Sequence, residues 1–318
     1  MRFQFFICML VSLLTAQGRS ISRIQTASDE YDKFTSVGNL GLTITNFGIL
    51  GNGWNRMEDG SIHPSCQYKQ QTEIAREQIE HFSYAGLWVG GIVNGQRRVS
   101  TSIVDGVFEA GNEGFELFAE TPITIQSSIS STTQDSMAQY YSPDAVSHQD
   151  MIVKFKDYGE TESDNMGIPN HNPLGLDIHL DAYAWNYSYA DAFVILNYNF
   201  KNVSLDTIHN VYAGIWADPS VANFNYTDYY TPGGGFTWYD NLDGFDRSFD
   251  DSEYNRDIAY QYDVDGDDGW AQSYIGITWL GGNVSRPYVR SNYNQWVWTN
   301  SNNSSYPVYS MPLDDNER

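Results

Sequence analysis

Cysteine is nearly missing. The chain has two, Cys8 and Cys66. Cys8 falls in a leader that export would remove, so a single thiol remains and no internal disulfide can form. Without bridges, an exported chain must rely on core area, hydrogen bonding and bound ions; the remaining thiol, with no Cys-His signature around it, reads as a buried structural group.

Positive charge is also scarce. There are 17 Lys and Arg against 40 Asp and Glu, a net charge of −23. Such a field repels phosphate backbones and anionic bilayers, which excludes nucleic acid as a partner. It favours solubility and gathers cations. No apolar run reaches the roughly 20 residues of a membrane span. G-x-S-x-G, the phosphate-cradling G-x-x-x-x-G-K-[ST] and the dinucleotide fingerprint are all missing, so no nucleotide or organic cofactor is expected. The glycine-rich "TPGGGFTWYD" has no lysine after it and reads as a loop. Six histidines (63, 81, 148, 171, 179 and 209) lie at no zinc spacing.

What is plentiful is aromatic mass. Aromatics make up 15% and hydrophobic residues 41% of the 318 residues. A disordered chain does not carry that much, so a sizeable core is expected. The N-terminus, "MRFQFFICMLVSLLTAQGRS", has a basic start at Arg2, an apolar run from Phe5 to Leu14, and small residues Ala16 and Gly18. This is the pattern of a secretory signal peptide over 1–18, cut after Gly18. The expected localisation is secreted or cell surface.

Beyond a polar leader over 19–36, the chain reads as β. Leu42 and Ile44 alternate with threonines; Met151, Val153 and Phe155 alternate with lysines; Leu176, Ile178 and Leu180 alternate with Asp177, His179 and Asp181. This is the period of a half-buried strand. In "DAFVILNYNFKN", Val194, Leu196, Tyr198 and Phe200 fall on one face. Asn94-Gly95 between two β-rich runs predicts a hairpin with positive φ at both turn residues. One stretch reads as a short helix near 72–82, with Thr72 as its cap and Ile74, Ile79 and Phe82 on one face. Almost no helix separates the other strands, which rules out βαβ units. The expected fold is an all-β antiparallel sandwich, as one large sandwich or two packed halves. A polar connection over 158–173 divides an N-terminal half, 37–157, from a C-terminal half, 174–318.

Three blocks carry a resemblance: "NLGLTITNFGILGNGWN", "HFSYAGLWVGGIVNGQRRVSTS" and "NPLGLDIHLDAYAWNYSYADAFVILNYNFKNVSLDTIHNVYAGIWADPSV". With "YQYDVDGDDGWAQSYIGITWLGG" they resemble uncharacterised secreted proteins of marine Bacteroidetes and Marinimicrobia type, over about residues 37 to 315. The resemblance implies export and a β-rich fold, and it brings no catalytic residues. Many such proteins carry a C-terminal sorting domain of the type IX secretion system. No such domain follows here, so the expectation is a C-terminal half truncated at its end or a different tail.

Acidic residues concentrate between Asp240 and Asp268, where eleven carboxylates meet two arginines. Crowded carboxylates call for a neutralising partner, and outside the cell calcium is the natural one, since it accepts six to eight oxygen ligands in irregular geometry. "YDVDGDDGW" places Asp263, Asp265 and Asp267 at positions 1, 3 and 5 of an EF-hand loop. Asp268 stands where that loop needs glycine, and Tyr274 where it needs glutamate, so this is no EF-hand. An irregular calcium site from Asp263, Asp265, Asp267 and Asp268, with Asp218 as a partner, is one reading. The other is a solvated turn, because Asp265-Gly266 and Asp268-Gly269 are good turn pairs. Asp218, before Pro219, also suits a turn.

Aromatics next to Asp and Asn in polar segments suit a sugar-stacking surface: Tyr229, Tyr230, Trp238 and Tyr239, and also Trp296 and Trp298. For the last two, strand packing is the competing reading. The resulting expectation is a secreted, non-catalytic module that binds polysaccharide or a cell-surface protein and is stiffened by calcium. The alternative is a carbohydrate-active enzyme, a glycoside hydrolase or lyase with two loop carboxylates set across a sugar.

Overall fold

The computed structural model describes residues 32–53, 63–103, 116–130, 135–159, 171–223, 226, 241–246, 257–283 and 291–294. The signal peptide, most of the leader and most of the 158–173 connection lie outside them.

The strands, in chain order, are β1 (Asp32–Phe34), β2 (Leu40–Thr45), β3 (Ile49–Gly51), β4 (Cys66–Tyr68), β5 (Ile79–Val93), β6 (Gln96–Thr101), β7 (Phe118–Ala119) and β8 (Thr124–Gln126). There follow β9 (Gln149–Lys156), β10 (Leu176–Ala184), β11 (Val194–Asn202), β12 (Ile208–Ala222), β13 (Asn241–Asp246), β14 (Ile258–Asp263) and β15 (Tyr274–Thr278). All pairings between these strands are antiparallel. A seven-stranded sheet runs β1-β2-β3-β5-β12, with β4 joined to β2 and β5 and β6 joined to β5. A five-stranded sheet runs β11-β10-β9-β7, with β8 on β9. β13, β14 and β15 make a third, small sheet. This is the expected antiparallel, sandwich-like all-β architecture.

The core lies between the two larger sheets. Leu42, Ile44, Leu87 and Val89 from one meet Met151, Val153, Phe155, Ile178 and Leu180 from the other. Each such side chain contributes about 1.5–3 kcal/mol on burial. β10 shows the period most cleanly, strictly alternating buried with half-buried positions. Both large sheets mix strands from the two sides of the 158–173 connection, since β12 pairs with β5 and β10 with β9. Asp157 ties the two ends of that connection together. Its buried carboxylate accepts hydrogen bonds from the amides of Leu174 (2.6 Å), Gly175 (3.0 Å) and Leu176 (2.6 Å).

The Asn94-Gly95 turn forms as the sequence requires, with φ of 53° and 79° between paired Val93 and Gln96. The helix near 72–82 does not. It shrinks to one 3-10 turn, Ala75–Glu77, and β5 begins at Ile79. Ile74, which the helical reading placed on the buried face, is 57% exposed. Thr72 does accept a hydrogen bond, from the Ile74 amide at 3.1 Å, but it closes a local turn and caps no helix. Pairing of β5 with β4 and β12 overrides the local preference for helix.

Candidate functional site

β14 and β15 form a hairpin whose connection is the acidic stretch. Its backbone is unusual. Gly266, Asp267, Asp268 and Gly269 all have positive φ, from 46° to 89°. Glycine takes this region freely and aspartate tolerates it. The turn is closed by its own side chains: the Gly266 amide donates to Asp263 Oδ1 (2.5 Å) and the Asp267 amide to Asp265 Oδ1 (2.9 Å). The Gly269 amide donates to the Gly266 carbonyl at 2.8 Å, and the Trp270 amide to the Asp267 carbonyl at 3.0 Å.

The turn and the acidic cluster are therefore the same object. It brings ligand-capable oxygens of Asp263, Asp265 and Asp267 within 4.8 Å of one another. Asp263 and Asp267 are buried and Asp265 is exposed. Oxygens that share one calcium at about 2.4 Å can stand at most about 5 Å apart, so the spacing suits a hard cation. Asp268 takes a different partner, accepting from the Tyr226 hydroxyl at 3.1 Å. Its carbonyl accepts from the Arg76 guanidinium at 2.9 Å, and that guanidinium lies 5.5 Å from the centre of the Trp270 ring. Asp218 stands on β12 beside Tyr84 of β5, where its carboxylate accepts from the Ser83 hydroxyl at 2.6 Å. Neither joins the group of three.

The same hairpin has an aromatic face that sequence reasoning missed. Register places Leu242, Gly244 and Asp246 of β13 beside Tyr262, Tyr260 and Ile258 of β14, and these beside Tyr274, Gly276 and Thr278 of β15. Cross-strand partners share a face. Tyr260 and Tyr262 have centroids 6.4 Å apart with planes 25° apart; Tyr262 and Tyr274 are 4.8 Å and 26° apart. Tyr274, at one end of the stack, is 64% exposed, and Leu242, on the other side of Tyr262, is 49% exposed. Glycine flanks Tyr260 on both sides, and a Cβ on Gly244 would sit 2.3 Å from the Tyr260 ring. The sequence carries part of this signal, tyrosines two apart in "YQYD"; the flanking glycines and Tyr274 join them only through strand register.

The opposite face of the small sheet holds it to the sandwich. Gln261 accepts from the Val221 amide at 3.2 Å and donates to Asp243 at 2.7 Å. Ile275 packs with Ile79, Val221 and Ala271. Ser273, just before Tyr274, is 2.8 Å from His81 Nε2, and His81 Nδ1 is 3.2 Å from the Cys66 carbonyl. A carbonyl only accepts, so Nδ1 carries the proton and Ser273 donates to Nε2. Burial lowers the His81 pKa to about 4. Glu80, its neighbour, is driven the other way by burial, up to about 8, although its carboxyl accepts from the Cys66 amide at 2.9 Å. Cys66 is buried, as expected, and burial pushes its thiol well up.

Comparison with family models, curated proteins and solved structures gives no match. Among the described residues, no helix is long and apolar enough to cross a membrane. Tyr229, Tyr230, Trp238 and Tyr239, together with Trp296 and Trp298, lie outside the described residues. Several buried carboxylates hold backbone: Glu116 accepts from the Thr101 amide (2.8 Å) and Asp150 from the Val146 and Ser147 amides (both 2.7 Å).

Proposed function

We propose that this chain is a secreted, non-catalytic β-sandwich module that binds a neutral polysaccharide on the Tyr260–Tyr262–Tyr274 stack. The acidic turn of the same hairpin holds a calcium ion that stiffens it. The observation that carries this reading is the pairing of an aromatic stack, half-buried at Tyr260 and Tyr262 and exposed at Tyr274, with a braced turn on one hairpin. An aromatic ring takes the apolar face of a sugar, while rim polar groups take its hydroxyls. Net charge of −23 and the carboxylates beside the stack disfavour uronic or sulfated chains. Export is supported by the signal-peptide pattern of residues 1–18. Asp263, Asp265 and Asp267 would supply the calcium ligands, which hard oxygen donors at this spacing suit.

Affinity electrophoresis in gels containing neutral glucans, mannans or galactans, with alginate and sulfated galactan as anionic counterparts, tests the reading. A neutral polymer should retard the wild type, and Tyr274→Ala should be retarded markedly less. Retardation by no neutral polymer, or unchanged retardation of the variant, would overturn it.

A further inference from the structure

A second aromatic cluster stands on the loop between β10 and β11. In residues 185–193, "WNYSYADAF", four of nine side chains are aromatic. Tyr187 and Tyr189 lie 5.4 Å apart with planes only 5° apart, and they are 47% and 81% exposed. Tyr187 also meets the His148 ring edge-on at 4.6 Å. Trp185 packs against Phe193 at 6.0 Å and Tyr183 at 6.2 Å, and Phe193 is 42% exposed.

The loop is tied down at several points. The Asp191 carbonyl accepts from the Asn39 amide at 2.6 Å, and its carboxylate accepts from Asn39 Nδ2 at 2.9 Å. The Ala190 amide donates to the Tyr187 carbonyl at 2.7 Å, and the Asn186 amide to His148 Nδ1 at 3.0 Å. Gly38 allows the close approach: a Cβ there would lie 2.5 Å from the Trp185 carbonyl oxygen. Aromatic rings held this way lose little freedom when a ligand arrives, which is how a small patch binds usefully. The loop has no Lys or Arg, and its one charged residue, Asp191, is engaged by Asn39. Anionic ligands are therefore disfavoured. Stacked rings with exposed Asn186 and Ser188 beside them suit an uncharged ring bearing hydroxyls.

We infer that the Tyr187–Tyr189 stack is a second carbohydrate contact, taking a sugar unit of the same neutral polysaccharide and making the module bivalent for an extended polymer. This inference rests on the polysaccharide-binding reading above. Two contacts that one polymer engages at once multiply through effective concentration. A polymer that spans both should lose about tenfold or more in affinity when one is removed, whereas a short oligosaccharide engages them one at a time.

The test uses the full chain as wild type, Tyr189→Ala, Tyr189→Phe and Tyr274→Ala. Each is titrated with a neutral polysaccharide that retards the wild type and with a tetrasaccharide cut from it, and melting curves confirm folding. The expected result is a loss of at least about tenfold for the polymer in Tyr189→Ala, less than a twofold change (about) for the tetrasaccharide, and wild-type behaviour in Tyr189→Phe. Unchanged polymer affinity in Tyr189→Ala with a loss in Tyr274→Ala would overturn the second contact and leave the hairpin reading standing. A loss in Tyr189→Ala with none in Tyr274→Ala would overturn the hairpin reading and bivalency with it, leaving this loop as a single contact. A wild type that binds no neutral polymer overturns both. Self-association of the wild type that Tyr189→Ala abolishes, without any effect on polymer binding, would assign the patch to a second copy and overturn the inference.

Discussion

Glu80→Gln should stabilise the protein at neutral and alkaline pH and have no such benefit in acid. Glu80 is 2% exposed, and burial raises its pKa from 4.5 to about 8. Between those values the native state keeps a proton that the unfolded chain releases. Its contribution to stability is therefore complete below pH 4.5 and is lost as pH rises through 8. The full span is about 5 kcal/mol at about 1.4 kcal/mol per unit, and about 3 kcal/mol of it is already lost at pH 7. Glutamine carries no charge in either state, so it removes this slope. It can keep the bond from the Cys66 amide, but its Nε2 would face the Gln67 amide group that Glu80 now accepts at 3.3 Å. That mismatch costs about 1 kcal/mol. The net expectation at pH 7 is a gain of about 2 kcal/mol, growing toward pH 8.5 and absent or reversed at pH 4. Urea unfolding of both proteins at four pH values between 4 and 8.5 reads this directly. A difference between them that stays constant over that range would refute the reasoning.

His81 works in the opposite sense. Its pKa is lowered to about 4, so stability is lost as pH falls from 6.5 to 4. With Glu80, this predicts that the two slopes offset between about 4.5 and 6.5, and that stability declines from 6.5 to 8, visible in a melting-temperature profile. Ser273→Ala removes the hydroxyl that donates to His81 and should cost about 1–2 kcal/mol by chemical denaturation. Calcium should raise the melting temperature, by about 2.7 kcal/mol of stability at one hundred times its dissociation constant; Asp263→Asn combined with Asp267→Asn should abolish the rise, and a midpoint indifferent to calcium and chelator would remove the metal. Gly244→Ala places a methyl against the Tyr260 ring, so it should destabilise by about 1–3 kcal/mol and weaken polysaccharide binding in the same gel assay.

Period-2 burial made the sandwich legible. In β10 every buried position and every half-buried one follows from the alternation of Leu176, Ile178 and Leu180 with Asp177, His179 and Asp181. The start of β5 was not legible, because Ile79, Glu80, His81, Phe82 and Ser83 are all buried and leave no alternation to read. Gln, Glu, Ala and Arg just before it carry a helical preference that long-range pairing overrides. The acidic turn was legible as residues but not as geometry. Its aspartates could have been spread along a loop, and only the run of positive φ from Gly266 to Gly269 gathers three of them. The tyrosine stack needed cross-strand register, since Tyr274 is twelve positions from Tyr262 in sequence but its direct partner in the hairpin. Aromatics in polar segments point to loops, while Tyr260, Tyr262 and Tyr274 stand on strands.

Oxidative footprinting with and without a soluble neutral polysaccharide locates the contact on the protein itself. Tyr274 and Tyr212 are comparably exposed, at 64% and 69%, and stand on different sheets. Bound polymer should protect Tyr274 and Tyr262 and leave Tyr212 as reactive as before. Equal protection of all three, or protection of Tyr212 alone, would contradict binding on the hairpin stack.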